Sequence, residues 1–192
     1  MKSNIFRKLI IMTILVNFLP PLNAEDRRTI PLDMYLIIDG SSALESSKND
    51  VISWINQELV DGILTDGDRI TVWKAGDKAE VIYSDTLSAS FGKSGLKDTL
   101  KALNTGGETA DFSGALNDAL PKISQTPDTR LAYTMLITSS ARGMVPALSG
   151  SSQNLLRWFR SEKYKYWQVL VVAPNIGEKV RQNARAYMSS IN

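Results

Sequence analysis

The sequence predicts an α/β fold, a mostly parallel sheet with helices on both faces in a three-layer sandwich. Three observations predict it. Three apolar runs, Met34–Ile38, Leu131–Ile137 and Val169–Val172, lack the polar alternation of a half-exposed strand, so both their faces are buried. Amphipathic stretches lie between those runs, as crossover helices between parallel strands require. A single short link, Ala75-Gly76-Asp77-Lys78, joins two strand-like segments and permits one antiparallel hairpin.

Each element follows in order. Leu32–Ile38 reads as a central strand that ends in Asp39-Gly40-Ser41-Ser42. A helix comes next, with Val51, Ile55 and Leu59 on one stripe and Gly62 near its end. Thr65-Asp66-Gly67-Asp68 is turn chemistry, and Asp61, Asp66 and Asp68 lack the spacing of a calcium-binding loop. Arg69–Lys74 and Ala79–Tyr83 form the hairpin. Leu96, Leu100 and Leu103 give a small helix, and Asn104–Thr109 a loop. Asp111 stands where an N-cap belongs, before a helix carrying Phe112, Ala115, Leu116, Ala119 and Leu120 that Pro121 is expected to end or kink. Leu131–Thr138 is a second buried strand. After the loop Ser139–Ser149, Leu155, Leu156 and Phe159 mark a helix, Val169–Ala173 a strand, and Val180–Ile191 a last helix. Right-handed crossovers make this a Rossmann-like sandwich with strand order 3-2-1-4-5 and the hairpin strand at one edge. Ligand sites in such sheets lie at the carboxyl ends of the strands, where the order reverses between strands one and four. Those strands end at Asp39 and Thr138.

Composition narrows the chemistry. The 192 residues include no Cys and no His. That excludes disulfides, thiolate catalysis, imidazole metal sites and Ser-His or Cys-His nucleophiles. Ser41, Ser42, Ser139 and Ser140 stand in no nucleophile motif, and Gly106-Gly107 lacks the residues of a phosphate loop. A Ser-Lys or all-carboxylate mechanism survives the count, but an enzyme on this sheet ranks below a binding module, and the reading is non-enzymatic.

The amino terminus reads as a processing signal. Lys2, Arg7 and Lys8 precede an apolar run from Leu9 to Leu19, and Ala24 stands before the charged Glu25-Asp26-Arg27-Arg28. The run is shorter than the ~20 residues needed to span a bilayer. Cleavage after Ala24 is expected, leaving one domain over residues 25–192 with no stable membrane span. Of 22 basic residues, removal of Lys2, Arg7 and Lys8 leaves 19 against 20 acidic ones. A chain so near neutrality gives no reason to expect nucleic-acid binding. The aromatics from Trp158 to Trp167, interleaved with Arg157, Arg160, Lys163 and Lys165, read as inward packing with basic stems outside.

Four segments, in order, carry a family resemblance. Asp39-Gly40-Ser41-Ser42-Ala43 after an apolar strand resembles the Asp-x-Ser-x-Ser loop of von Willebrand factor type A domains. Gly67–Val72 with Ala79–Tyr83 resembles that family's second and third strands. Gly106-Gly107-Glu108-Thr109 with Gly114-Ala115-Leu116 resembles its threonine loop and following helix, and Met135–Thr138 its fourth strand. The resemblance covers most of residues 32–190. It implies a metal-ion-dependent adhesion site built from two Ser, a Thr and two Asp around Mg²⁺, with one position open to a partner's carboxylate. Asp39 and Ser41 match. Thr109 matches in kind, with one extra residue before its helix, whereas Ala43 replaces the second Ser and Ser139 the second Asp.

The implied site, Asp39, Ser41 and Thr109, is thus degenerate. Loss of one direct oxygen and one outer carboxylate predicts no bound metal, or weakly bound Mg²⁺. Glu108 and Asp111 are the neighbouring carboxylates, Asp111 being read first as a helix cap. Together with the processing signal, which implies export to the periplasm or beyond, the resemblance implies a protein-binding module whose partner is another protein of the cell envelope or extracellular space. The alternative is a scaffold or assembly subunit of an envelope complex, using its helical flanks or edge strand, with a relic metal site.

Overall fold

Strand β1, Leu32–Asp39, is buried along its whole length. Its apolar side chains must be covered on both sides, and hydrogen bonding to a strand on each edge satisfies its backbone. The computed structural model describes residues 29–88, 92–138 and the strand at 167–172. The signal segment, Ser139, and the helices expected over Leu155–Phe159 and Val180–Ile191 lie outside the described residues.

β1 pairs in parallel with β2, Arg69–Ala75, on one side and with β4, Leu131–Ile137, on the other. β2 continues antiparallel into β3, Ala79–Thr86, and β4 pairs in parallel with β5, Trp167–Val172. The sheet runs β3-β2-β1-β4-β5.

Alternation divides β1 between two cores. Met34, Leu36 and Ile38 face a layer made by the chain that follows β1. That stretch begins as a 3₁₀ turn, Ser42–Ser47, becomes α1, Lys48–Trp54, and widens into a π-helical segment, Ile55–Asp61. Its buried residues Leu44, Val51, Ile55 and Leu59 share the layer with Leu96 and Leu100 of α2, Gly92–Lys101. Tyr35 and Ile37 point the other way, with Trp73, onto α3, Phe112–Ser124. Each fully buried aliphatic side chain contributes about 1.5–3 kcal/mol of transfer free energy, so a strand apolar on both faces belongs in the middle.

Asp111 caps α3, accepting a hydrogen bond from the Gly114 amide at 2.8 Å. The carboxylate folds so closely over the helix end that a Cβ on residue 114 would sit 2.1 Å from its Oδ2. Phe112, Ala115, Leu116, Ala119, Leu120 and Ile123 form the buried stripe. Of the two outcomes expected at Pro121, an end or a kink, the end is corrected: the helix runs on through Lys122, Ile123 and Ser124. Pro121 is exposed, so the carbonyl it fails to bond can turn to water.

The amino end of β1 is held by two buried carboxylates. Asp68 accepts the Leu32 amide at 2.7 Å through Oδ1 and the Thr65 amide at 2.8 Å through Oδ2. Asp33 accepts Arg130 Nε at 2.5 Å, while Arg130 also donates to the carbonyls of Leu32 and Gly67. Thr126 gives its single hydroxyl proton to Asp33, so at 2.9 Å it accepts that of Tyr35. Burial foremost, and the Asp33 charge after it, push the Tyr35 phenol above its ordinary range and keep it a donor.

Candidate functional site

Three loops meet at the carboxyl ends of β1 and β2, and glycine is what lets them meet. The Gly40 amide donates to the Ala75 carbonyl at 2.8 Å. Ser42 donates to Gly107 at 2.8 Å and Gly107 to Gly40 at 3.1 Å, making a short parallel bridge between residues 41 and 107. A Cβ on Gly40 would lie 2.7 Å from Lys74 Cγ and 3.1 Å from the Gly76 backbone. One on Gly107 would lie 3.2 Å from the Gly40 carbonyl. Side chains at these positions would force the loops apart.

Asp39 sits beneath this junction, fully buried. Its Oδ1 accepts the Ser41 amide at 2.9 Å and the Ser41 hydroxyl at 2.6 Å. Its Oδ2 accepts the Thr138 hydroxyl at 2.8 Å, just past the end of β4. A carboxylate so engaged closes its own loop and ties β1 to β4 where the strand order reverses. Asp39 and Ser41 are therefore together, as the sequence places them.

Thr109 has a different partner. It is exposed, and both its amide, at 3.0 Å, and its hydroxyl, at 3.2 Å, donate to Oδ1 of Asp77 in the hairpin loop. Those bonds, the amide's foremost, hold the Asp77 carboxyl below its ordinary range. Asp111 is committed to its helix cap and to the Ala79 amide at 3.4 Å. Glu108 is exposed beside Thr109.

Sequence reasoning missed four participants. Asp77 reads as a turn residue and Thr138 as a strand end. Thr105 is fully buried and donates its hydroxyl to Glu45 of the 3₁₀ turn. That bond first, and Lys48 second, hold the Glu45 carboxyl below its ordinary range. The signal available was position: Asp77 lies two residues past the carboxyl end of β2 and Thr138 just past that of β4, the edge where such folds build sites.

Part of the donor set that the resemblance implies for a divalent cation is replaced or turned elsewhere. Mg²⁺ takes hard oxygens in near-octahedral geometry. Here residue 43 offers a methyl group where a second serine would stand, Ser139 lies outside the described residues, and Thr109 turns to Asp77 in the hairpin loop. Among the described residues, no three or more Asp or Glu gather to hold a metal ion.

No family model matches the chain. A protein of Treponema pallidum (strain Nichols), itself described as uncharacterized, is 22% identical over 174 residues, 85% of this chain and 78% of that protein. Among solved structures, proximal thread matrix protein 1 from the mussel byssus matches with a TM-score of 0.56 at 14% identity, over 80% of this chain and 40% of that one. A von Willebrand factor type A protein from Catenulispora acidiphila matches with a TM-score of 0.53 at 13% identity, over 84% and 42%. The chain thus spans about two fifths of the length of these solved structures. At such identities the likeness is one of fold alone. The chain has a von Willebrand factor type A-like fold.

Proposed function

We propose that this chain is a non-enzymatic protein-binding module that uses the three-loop surface at the carboxyl ends of β1 and β2. The observation that carries the reading is the junction itself. Residues 39–42, 75–78 and 105–109 are knitted by backbone hydrogen bonds over a buried Asp39, and the exposed Asp77, Glu108 and Thr109 stand on them. A polar surface already fixed loses little entropy when a partner binds, which favours recognition. No His or Cys is present to carry nucleophilic chemistry.

On this reading the face works without a metal of its own or with weakly held Mg²⁺, because hydrogen bonds organise what a cation would otherwise hold. The partner is another protein of the cell envelope or the extracellular space. Export to the periplasm or beyond rests on the basic start, the apolar run Leu9–Leu19 and Ala24. Among the described residues no helix is long and apolar enough to cross a membrane. Sequencing of the mature amino terminus should begin at Glu25, and a cytosolic full-length chain would refute the export.

A capture experiment from envelope extract of the source cell tests the binding reading, with wild type compared against two variants. Asp39 is unsuitable for mutation because it is buried. The exposed pair Asp77→Ala with Glu108→Ala should abolish capture and leave the fold intact, and chelation should leave wild-type capture unchanged. The scaffold alternative draws on Val81, 45% exposed on edge strand β3. If Val81→Glu abolishes capture while the loop variant retains it, the chain is a scaffold that uses its sheet edge.

A further inference from the structure

At the opposite end of the sheet, the α3-covered face changes character. Toward the carboxyl ends it is apolar, with Ile37, Trp73 and Ala75 packed under Phe112, Ala115 and Ala119. Toward the amino ends the same alternation brings up Asp33, Arg69 and Thr71, and Ser84 and Thr86 stand directly across from Thr71 and Arg69. Helix α3 stops short of this region. Its last turn and the residues after it, Lys122, Gln125 and Thr126, form the far wall of a cavity of about 420 Å³.

The lining is almost wholly polar. Thr71 and Ser84 share a hydrogen bond at 3.2 Å, and the Tyr35 hydroxyl meets Thr126 at 2.9 Å. An apolar occupant would strip water from these groups and leave them unsatisfied. The size lies at the lower end of the about 300–1,000 Å³ of small-molecule sites.

Charge then selects the sign of the ligand. The Asp33 carboxylate is matched from behind by Arg130, which does not line the cavity. Asp85, on the rim, turns its carboxylate to the Thr86 amide at 2.7 Å. Arg69 is ion-paired with Asp33 at 3.8 Å, longer than a hydrogen bond, and its side chain is 55% exposed, which leaves guanidinium donors open to a ligand. Lys122 is exposed and has no acidic partner within ion-pair distance among the described residues. Two cations, Arg69 and Lys122, and a set of hydroxyls therefore face one small hollow beside the carboxylates Asp33, which Arg130 matches, and Asp85.

We propose that this cavity binds a small hydroxylated anion, of the class of sugar acids and sugar phosphates. Its anionic group pairs with Arg69 and Lys122, and its hydroxyls exchange hydrogen bonds with Thr71, Ser84 and Thr126. An arginine fork suits carboxylate and phosphate oxygens equally, so the two sources share one chemistry. The site is separate from the three-loop face and stands whether or not that face binds a partner.

Calorimetric titration of the chain with glucuronate, glucose 6-phosphate, inorganic phosphate and glucose tests it. Saturable binding of glucuronate or glucose 6-phosphate is expected, with glucose at least about tenfold weaker. Whichever anion binds more tightly identifies the headgroup. Lys122→Gln and Arg69→Gln should each weaken that anion about tenfold or more, and Asp77→Ala should not change it. Lys122 lies at the surface, so its variant carries the test even if loss of Arg69 disturbs Asp33. The proposal is overturned if neither sugar anion saturates, if glucose or inorganic phosphate binds as tightly, or if Lys122→Gln leaves affinity unchanged.

Discussion

Replacing Arg130 by Met isolates the contact that closes the amino end of the sheet. The Arg130 and Asp33 side chains are 11% and 5% exposed, and Nε lies 2.5 Å from the carboxylate. The same guanidinium donates to the Leu32 carbonyl at 3.0 Å and the Gly67 carbonyl at 2.9 Å, joining β1 to the turn before β2. Removing it leaves a buried carboxylate and two carbonyls short of donors. Breaking a buried pair from one side costs about 3–5 kcal/mol. Asp33 keeps Arg69 at 3.8 Å and the Thr126 hydroxyl at 3.2 Å, which places the loss near the lower end, about 3 kcal/mol. For a domain of this size that corresponds to a fall in Tm of roughly 6–12 °C. Urea and thermal unfolding of Arg130→Met, Asp33→Asn and the double variant close a mutant cycle. The double variant should lose clearly less than the sum of the two single losses. A loss below about 1 kcal/mol for Arg130→Met, or simple additivity, would show the pair behaving as a surface ion pair and refute the reasoning.

Gly40→Ala should cost about 1–3 kcal/mol and speed proteolysis of the hairpin loop, because the lysine stem can yield but the Gly76 backbone at 3.1 Å cannot. A wild-type melting temperature would mean that the loops are not so tightly joined. Wild-type chain should bind Mg²⁺ weakly or not at all by calorimetry, and the double change Ala43→Ser with Ser139→Asp should tighten it at least about tenfold. No gain would mean that these loops do not converge on one ion. Thr105→Val should raise the Glu45 pKa toward its ordinary value, read by carboxyl NMR across an acid titration, since the Thr105 hydroxyl is the first cause of its depression. The sign follows from linkage: the bond favours the ionised form, so its contribution is complete above the ordinary carboxylate range and is lost as pH falls through the lowered value. An unmoved Glu45 would place the cause elsewhere.

Much of the architecture is local and was legible in the chain. A strand run apolar on both faces, such as Met34–Ile38, is best satisfied in a sheet interior, and a four-residue link can only make a hairpin. The Asp111 cap was legible because a cap and its amide lie three residues apart. The pairing of Asp39 with Ser41 spans two residues and follows the same logic. What tertiary structure alone decided is the choice among distant partners. Asp39 reaches Thr138 across 99 positions, Arg130 reaches Asp33 across 97, and Thr109 turns to Asp77 across 32. Nothing in the residue types distinguishes Thr109 from Thr105 or Asp77 from Asp111 as donors and acceptors. Strand register and the close approach at Gly40 and Gly107 made that distinction. Periodicity and capping act over a few residues, and the sequence shows them directly. A hydrogen bond between loops depends on which backbones can approach within about 3 Å, and only the packed sheet sets that distance.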